Sequence, residues 1–145
     1  MNCVHSVYEF RGLSVYCLLK NCYICLMEEF SFEKLNAWKY ARALVREVYG
    51  IIRKLPVEER FGLCDQMRRA IVSVPSNLAE GSGRISKAEQ RHFYEIAYGS
   101  LMEVYCQLML AVDLGYIQTG EITDIRHHIH TTAKLITALR ASVKE

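Results

Sequence analysis

The sequence predicts an all-α protein, an antiparallel up-down four-helix bundle. Apolar residues recur at three- and four-residue spacing over several long segments, no β-strand is evident, and the breaks between segments carry helix start and stop signals. With 145 residues, 51% of them hydrophobic, the chain is long enough for one domain with one core and too short for two. We therefore expect a bundle domain over residues 31–145 and an N-terminal extension, residues 1–30, with little structure of its own.

The first 30 residues differ in composition from the rest of the chain. Their apolar run, Leu13 to Met27, is interrupted by Lys20, so it falls short of the ~20 residues that a membrane-spanning helix needs. Because no signal-peptide pattern is present either, we expect a cytoplasmic protein without membrane contact, whose natural start is Met27. A structural zinc site is the alternative: Cys22 and Cys25 form a C-x-x-C, and three more possible ligands lie nearby, namely Cys3, His5 and Cys17.

The first helix is expected to begin near Ser31, whose hydroxyl can cap the first turn, and to end before Pro56. Helical spacing predicts its buried face as Phe32, Leu35, Trp38, Val45, Val48, Ile52 and Leu55. The remaining surface is basic and contains Lys39, Arg42, Arg46 and Arg53. Glu58 and Glu59 suit the start of the second helix because carboxylates stabilise its positive end, and the short turn makes that helix an antiparallel neighbour.

The second helix, Gln66 to Gly81, contains a proline in its interior. Its apolar face comprises Met67, Ala70, Ile71, Val74 and Leu78. Pro75 removes a backbone donor and crowds the carbonyl of Ile71, which costs about 3 kcal/mol in an ordinary helix and bends its axis. Short polar side chains can bond the backbone groups that a kink frees, and three are present: Ser73, Ser76 and Asn77. We therefore predict a proline-kinked helix.

The third helix is expected to start at the capping box Ser86 to Glu89 and to stop at Gly115. One of its two apolar stripes comprises Phe93, Ala97, Ser100, Val104, Leu108 and Ala111. Since a helix that is apolar on two sides needs two covers, the second stripe is predicted to form an oligomer interface: Tyr94, Tyr98, Leu101, Tyr105 and Met109. The fourth helix, with Thr119 as its cap, buries Ile122, Ile125, Ile129, Thr132, Ile136, Leu139 and Val143.

Parts of the second and third helices resemble a known family. The positions that carry the resemblance are Gln66, Arg68, Arg69, Ala70, Ser73, Pro75, Asn77, Ala79, Glu80, Gly81, Ala97, Gly99, Ser100 and Glu103. On these residues the chain resembles the bacterial four-helix-bundle proteins encoded in 23S ribosomal RNA intervening sequences, over roughly Phe32 to Leu139. The resemblance implies a ring-like homopentamer, distantly akin to the accessory proteins of diversity-generating retroelement reverse transcriptases, and no enzyme activity.

Two carboxylates, Glu80 and Glu103, form the one constellation dense enough to be read as catalytic. Paired carboxylates run acid-base chemistry when their environments differ, and nothing in the spacing indicates such a difference. We interpret them as part of a structural polar network between the second and third helices: Ser73, Asn77, Glu80, Ser100 and Glu103. An arginine is expected beside at least one of the carboxylates, because an unpaired buried charge is costly. No catalytic residue is predicted.

The fourth helix carries a histidine cluster, His127, His128 and His130. Positions one and three apart on a helix do not converge on one ion, so His127 and His130 alone could supply half a metal site. We therefore predict no metal site and no cofactor.

The net charge of +2 is mild, but Phe32 to Val57 contains six basic and two acidic residues. Five residues are predicted to bind phosphate near one end of the second and third helices: Arg68, Arg69, Arg84, Lys87 and Arg91. Repeated around an oligomer, they would hold RNA or DNA without reading its sequence. The leading hypothesis is a non-enzymatic homo-oligomeric scaffold that contacts RNA or an RNA-associated protein, such as a ribosome-associated one. The alternative is a protein-interaction adaptor for a reverse transcriptase, with little nucleic-acid binding of its own.

Overall fold

The structure, a computed structural model, describes residues 9–10, 13–14 and 29–144. Four long helices form the domain: α1 (Asn36–Ile52), α2 (Leu63–Ser82), α3 (Lys87–Asp113) and α4 (Thr123–Ser142). They contact one another in a closed cycle, α1 with α2, α2 with α3, α3 with α4 and α4 with α1. Short connections make successive helices antiparallel, so the predicted all-α four-helix bundle is confirmed.

A short antiparallel strand pair lies in the N-terminal segment. Strand β1 (Glu9–Phe10) pairs with β2 (Leu13–Ser14). The sequence predicts no strand there, because two residues per strand are too few to show an alternating pattern. The C-x-x-C of Cys22 and Cys25 lies outside the described residues, as do the other possible zinc ligands of that segment.

Helix α1 begins at Asn36, later than the sequence predicts. A 3-10 turn, Ser31–Lys34, precedes it. Ser31 does not cap a helix; its Oγ lies 3.1 Å from the Oγ of Ser82 and 3.4 Å from the carbonyl oxygen of the same residue. The hydroxyl therefore joins the start of the domain to the end of α2.

The buried face of α1 is turned relative to the predicted one. Its buried residues are Ala37, Ala41, Leu44, Val48, Ile51 and Ile52. Trp38 and Val45, predicted for the core, are half-buried at the edge that faces α2. The prediction followed the large apolar residues, whereas the core side of the first turns is marked by the two alanines.

The apolar face of α2 is buried as predicted: Met67, Ala70, Ile71, Val74 and Leu78. The helix runs through Pro75 without interruption, and the bend of its axis stays a prediction. Around the proline, side-chain donors bond backbone carbonyls, as short polar residues in helices do. Ser76 Oγ donates to the carbonyl oxygen of Val72 at 2.8 Å, and Asn77 Nδ2 donates to that of Ser73 at 2.8 Å.

Gly81 marks a close approach of α2 and α3 and does not end α2, which continues to Ser82. A Cβ atom on Gly81 would lie 2.6 Å from Cε1 of Tyr94 and 3.0 Å from Cβ of Phe93. Because Tyr94 is itself buried, its ring has little room to move. The absent side chain is what lets the two helices pack here.

Gly115 ends α3 as predicted, in a left-handed conformation with a φ of 74°. The N–H of Gly115 donates to the carbonyl oxygen of Val112 at 2.9 Å, and that of Tyr116 to Ala111 at 3.0 Å. These two bonds form a Schellman motif, which satisfies carbonyls at the helix end. At the other end Ser86 is the N-cap residue, but its side chain makes no capping hydrogen bond with described residues. Within the described ranges, no helix is both long and apolar enough to cross a membrane.

Candidate nucleic-acid interface

The five predicted phosphate-binding residues do not form one cluster. Arg68 and Arg69 lie in the first turns of α2, whereas Arg84, Lys87 and Arg91 lie beyond its other end. At ~1.5 Å per residue, the helix between Arg68 and its C-terminus separates the two groups by about 20 Å. The prediction of a single basic end is therefore wrong, because α2 is long enough to hold the groups apart.

Two of these arginines already have partners on α2. Arg69 pairs with Asp65 and Arg84 pairs with Glu80, each one helical turn away. The guanidinium of Arg84 also lies 4.6 Å from the centre of the Phe93 ring. Exposed pairs of this kind contribute about 0–1 kcal/mol and open readily, but they halve the charge that a phosphate would meet.

A continuous row of cations lies instead on α1. Lys39, Arg42, Arg46 and Arg53 are exposed on the side of the helix opposite to its buried face. We call these four residues the α1 basic stripe; from its first to its last residue it extends about 21 Å at ~1.5 Å per residue. None of the four forms an ion pair with a carboxylate of residues 29–144.

The acidic residue of α1, Glu47, lies away from the stripe. Its carboxylate oxygens lie 2.8 Å and 2.9 Å from Nδ1 of His128 on α4. This contact accounts for one member of the predicted histidine cluster, while His127 and His130 are exposed. Among the described residues, no three His, Cys, Asp or Glu side chains gather as a metal site. The stripe therefore keeps its positive charge.

An open groove of about 480 Å³ runs beside the stripe, between α1 and α2. It is lined by Trp38, Arg42, Val45, Arg46, Pro75, Ser76 and Ala79. The guanidinium of Arg42 lies over the Trp38 ring, 5.4 Å from its centre, which is a cation-π geometry. Phe32 braces the same ring edge-on, at 4.9 Å between ring centres. We call this feature the Trp38 groove; it shares Arg42 and Arg46 with the α1 basic stripe.

Half of the predicted polar network is brought together between α2 and α3. The hydroxyl oxygens of Ser73 and Ser100 are 2.8 Å apart, and Asn77 Nδ2 donates to Ser73 Oγ at 2.8 Å. The two carboxylates lie outside this trio. Glu80 is exposed beside Arg84, and Glu103 Oε1 accepts a hydrogen bond of 2.9 Å from Gln107 Nε2. Both acids project to the surface, so neither needed a buried arginine.

The residues predicted for an oligomer interface are mostly covered within the chain itself. Tyr94 and Leu101 belong to the core. Tyr98 and Tyr105 are half-buried beneath α4, where two arginine guanidiniums lie 5.7 Å and 5.9 Å from their ring centres. Of the five, Met109 alone is exposed. The second apolar stripe is thus the contact with α4, which the prediction assigned to another subunit.

A different side of α3 is left open. We call it the α3 outer face; its residues are Ile96, Gly99, Glu103, Cys106, Leu110 and Leu114. Leu110 and Leu114 are 46% and 56% exposed, and nothing lies within 4 Å of a Cβ placed on Gly99. Beside this face Gln107 is buried, and its Oε1 has no hydrogen-bond partner among the described residues.

Several titratable groups fasten the two loops at one end of the bundle. Tyr116 donates a 3.0 Å hydrogen bond to Glu59 Oε1, and this bond raises the pKa of the Tyr116 phenol. The N–H of Gln118 and the ammonium of Lys54 lower the pKa of Glu121. These contacts tie the connection after α1 to the connection after α3 and take no part in the α1 basic stripe.

The chain matches one family model, described as 23S rRNA-intervening sequence protein, over residues 33–138. A similar solved structure is a protein with unknown function from the S23 ribosomal protein family of Bacteroides thetaiotaomicron. It is 19% identical, with a TM-score of 0.67, and the alignment covers 73% of this chain and 96% of that one. At this identity the likeness shows the fold. No curated protein matches the chain.

Proposed function

This chain belongs to the family of 23S rRNA-intervening sequence proteins, and from that premise we propose that it is a non-enzymatic, homo-oligomeric scaffold that contacts RNA. The α1 basic stripe carries the proposal. Four cations without carboxylate partners in the described bundle follow one helix, whereas the predicted patch is divided between two ends of α2. Such a row attracts phosphate groups and releases their counterions without reading base sequence.

Self-association is proposed to use the α3 outer face. Its exposed leucines and Ile96 remain in contact with water in the single chain, and a second copy would cover them. The unpaired Oε1 of Gln107 supports this choice, because a buried polar atom without a partner costs about 1–3 kcal/mol and a neighbouring subunit could supply the donor. Since α1 and α3 are diagonal in the bundle, an assembly through α3 leaves the basic stripe free.

Two charge-matched triple variants test the RNA contact. Replacing Lys39, Arg46 and Arg53 by Gln should weaken binding of a structured RNA and flatten the slope of log affinity against log salt by about 2, at ~0.7 per lost phosphate contact. Replacing Arg84, Lys87 and Arg91 by Gln removes the same charge and should change the slope less. Binding is measured by fluorescence anisotropy in a salt series. Equal loss in both variants would show that net charge alone matters, and absence of binding by the parent at low salt would refute the proposal.

Assembly is tested separately by sedimentation velocity over a range of protein concentrations. Leu110→Glu places a charge on the α3 outer face and should shift the protein towards the monomer. Val57→Glu is the matched control, because Val57 is 74% exposed in a loop far from that face. A parent that sediments as a monomer throughout would remove the scaffold from the proposal.

The adaptor function is the second candidate, and the α3 outer face favours it. If the parent protein is monomeric and shows no RNA binding, the exposed apolar face is better explained by a protein partner than by another copy of the chain.

A further inference from the structure

The Trp38 groove offers chemistry that a row of cations alone does not. Its floor is apolar and aromatic, formed by Trp38, Val45 and Pro75, while Arg42 and Arg46 stand at its rim. No acidic side chain lines it. Its volume of about 480 Å³ lies within the range of about 300–1,000 Å³ that small-molecule sites occupy. A ligand that fits this groove combines a flat apolar ring with a negative charge.

An unpaired nucleotide has both properties. Bases of single strands stack on aromatic rings and on guanidinium planes, whereas the faces of bases in a duplex are already covered by their neighbours. Arg42, placed over Trp38, forms a platform for one ring, and Arg46 lies one helical turn further along the stripe for the adjoining phosphate. A carboxylate-rich peptide would satisfy the two arginines and leave the platform uncovered.

We propose that the Trp38 groove binds an unpaired base of a single-stranded nucleic acid, with the flanking phosphates held by the α1 basic stripe. This inference rests on the proposed function and deepens it, because it names the class of nucleic acid that the surface prefers. Phe32 contributes by fixing the orientation of the Trp38 ring.

Trp38 is the one tryptophan of the chain, so its fluorescence reports on the groove directly. An oligouridylate should quench this fluorescence in a saturable manner that high salt reverses, because a stacked base quenches indole emission. An RNA duplex of equal length should bind the stripe with little quenching. The unmodified protein is sufficient for this measurement.

Variants of the platform test its contribution to affinity. Arg42→Lys keeps the charge but removes the flat guanidinium, and Trp38→Leu removes the ring. Each should weaken oligouridylate binding by roughly 5- to 150-fold, the factor that stacking of one base represents, and leave duplex binding nearly unchanged. Tyr40→Leu is the matched control, since Tyr40 is an exposed aromatic residue of α1 that does not line the groove. Circular dichroism checks that each variant is folded; if Trp38→Leu is not, Arg42→Lys and the quenching experiment decide.

The outcomes separate this inference from the proposed function. If the parent binds oligouridylate and duplex equally, without quenching and without an effect of Arg42→Lys, the groove inference fails while RNA binding stands. If polyglutamate quenches Trp38 and competes as well as oligouridylate does, the groove recognises charge alone and the inference fails. If neither RNA binds at low salt, both proposals fail.

Discussion

A methyl group added at Gly81 tests the packing of α2 against α3. The Cβ of Gly81→Ala would lie 2.6 Å from Cε1 of Tyr94 and 2.9 Å from its Cδ1, closer than real Cβ contacts allow. Overpacking of this kind costs about 1–3 kcal/mol, because the buried ring and both helices must shift. Alanine offsets about 1 kcal/mol of this loss through its better helix propensity. The expected net result is a destabilisation of about 0–2 kcal/mol.

A second glycine separates the two effects. Gly50 is in α1, and nothing lies within 4 Å of a Cβ built on it. Gly50→Ala should therefore stabilise the protein by about 0.5–1 kcal/mol, and Gly81→Ala should fall about 1–3 kcal/mol below it. Urea unfolding followed by circular dichroism, at one fixed protein concentration, gives both values.

The clash with the ring is tested by a double-mutant cycle. In a Tyr94→Leu background the aromatic ring is gone, so adding Gly81→Ala should cost less than it does in the parent. If Gly81→Ala and Gly50→Ala change the free energy of unfolding equally, or if the Tyr94→Leu background makes no difference, the close approach inferred at Gly81 is not real.

Four further predictions concern other parts of the chain. Ser73→Ala and Ser100→Ala should each destabilise the protein by about 0.5–1.5 kcal/mol and be non-additive in a double-mutant cycle, because their hydroxyls bond each other; additive effects would contradict the bond. Pro75→Ala should keep the helical circular dichroism signal and weaken self-association in analytical ultracentrifugation, and an unchanged assembly would remove the proline from that process. A chain that starts at Met27 should keep its helical signal, thermal midpoint and assembly state; a large loss would show that the N-terminal segment supports the bundle. The lowered pKa of Glu121 implies stability that is present above its ordinary value of 4.5 and lost as pH falls through the lowered pKa; thermal midpoints of Glu121→Gln should approach those of the parent as the solution is acidified.

Helix positions and the buried face of α2 could be predicted because periodicity and stop signals are local. Met67 to Leu78 repeat one apolar face, and Gly115 has the positive φ that a Schellman end requires. The identity of the neighbour across each face is not local information. The sequence shows that Tyr98 and Tyr105 need a cover, but only the folded chain shows that α4 supplies it.

The candidate site was predicted less well than the fold for a related reason. Trp38 was assigned to the core because large aromatic residues usually are buried, and the alanines on the true core side gave a weaker signal. The basic residues of α1 were visible in the sequence as its non-apolar surface. What the sequence could not show is that Arg69 and Arg84 are neutralised by neighbours, while the cations of α1 are not paired within the described bundle.

The diagonal placement of α1 and α3 makes nucleic-acid affinity a property of the proposed assembly. If copies join through α3, each adds one outward-facing stripe, and a strand bound to one stripe meets the next at a high effective concentration. Avidity can then exceed the affinity of a single copy by about 10²- to 10⁴-fold without any new contact. Dilution below the assembly threshold would release the strand even though every individual site remained intact.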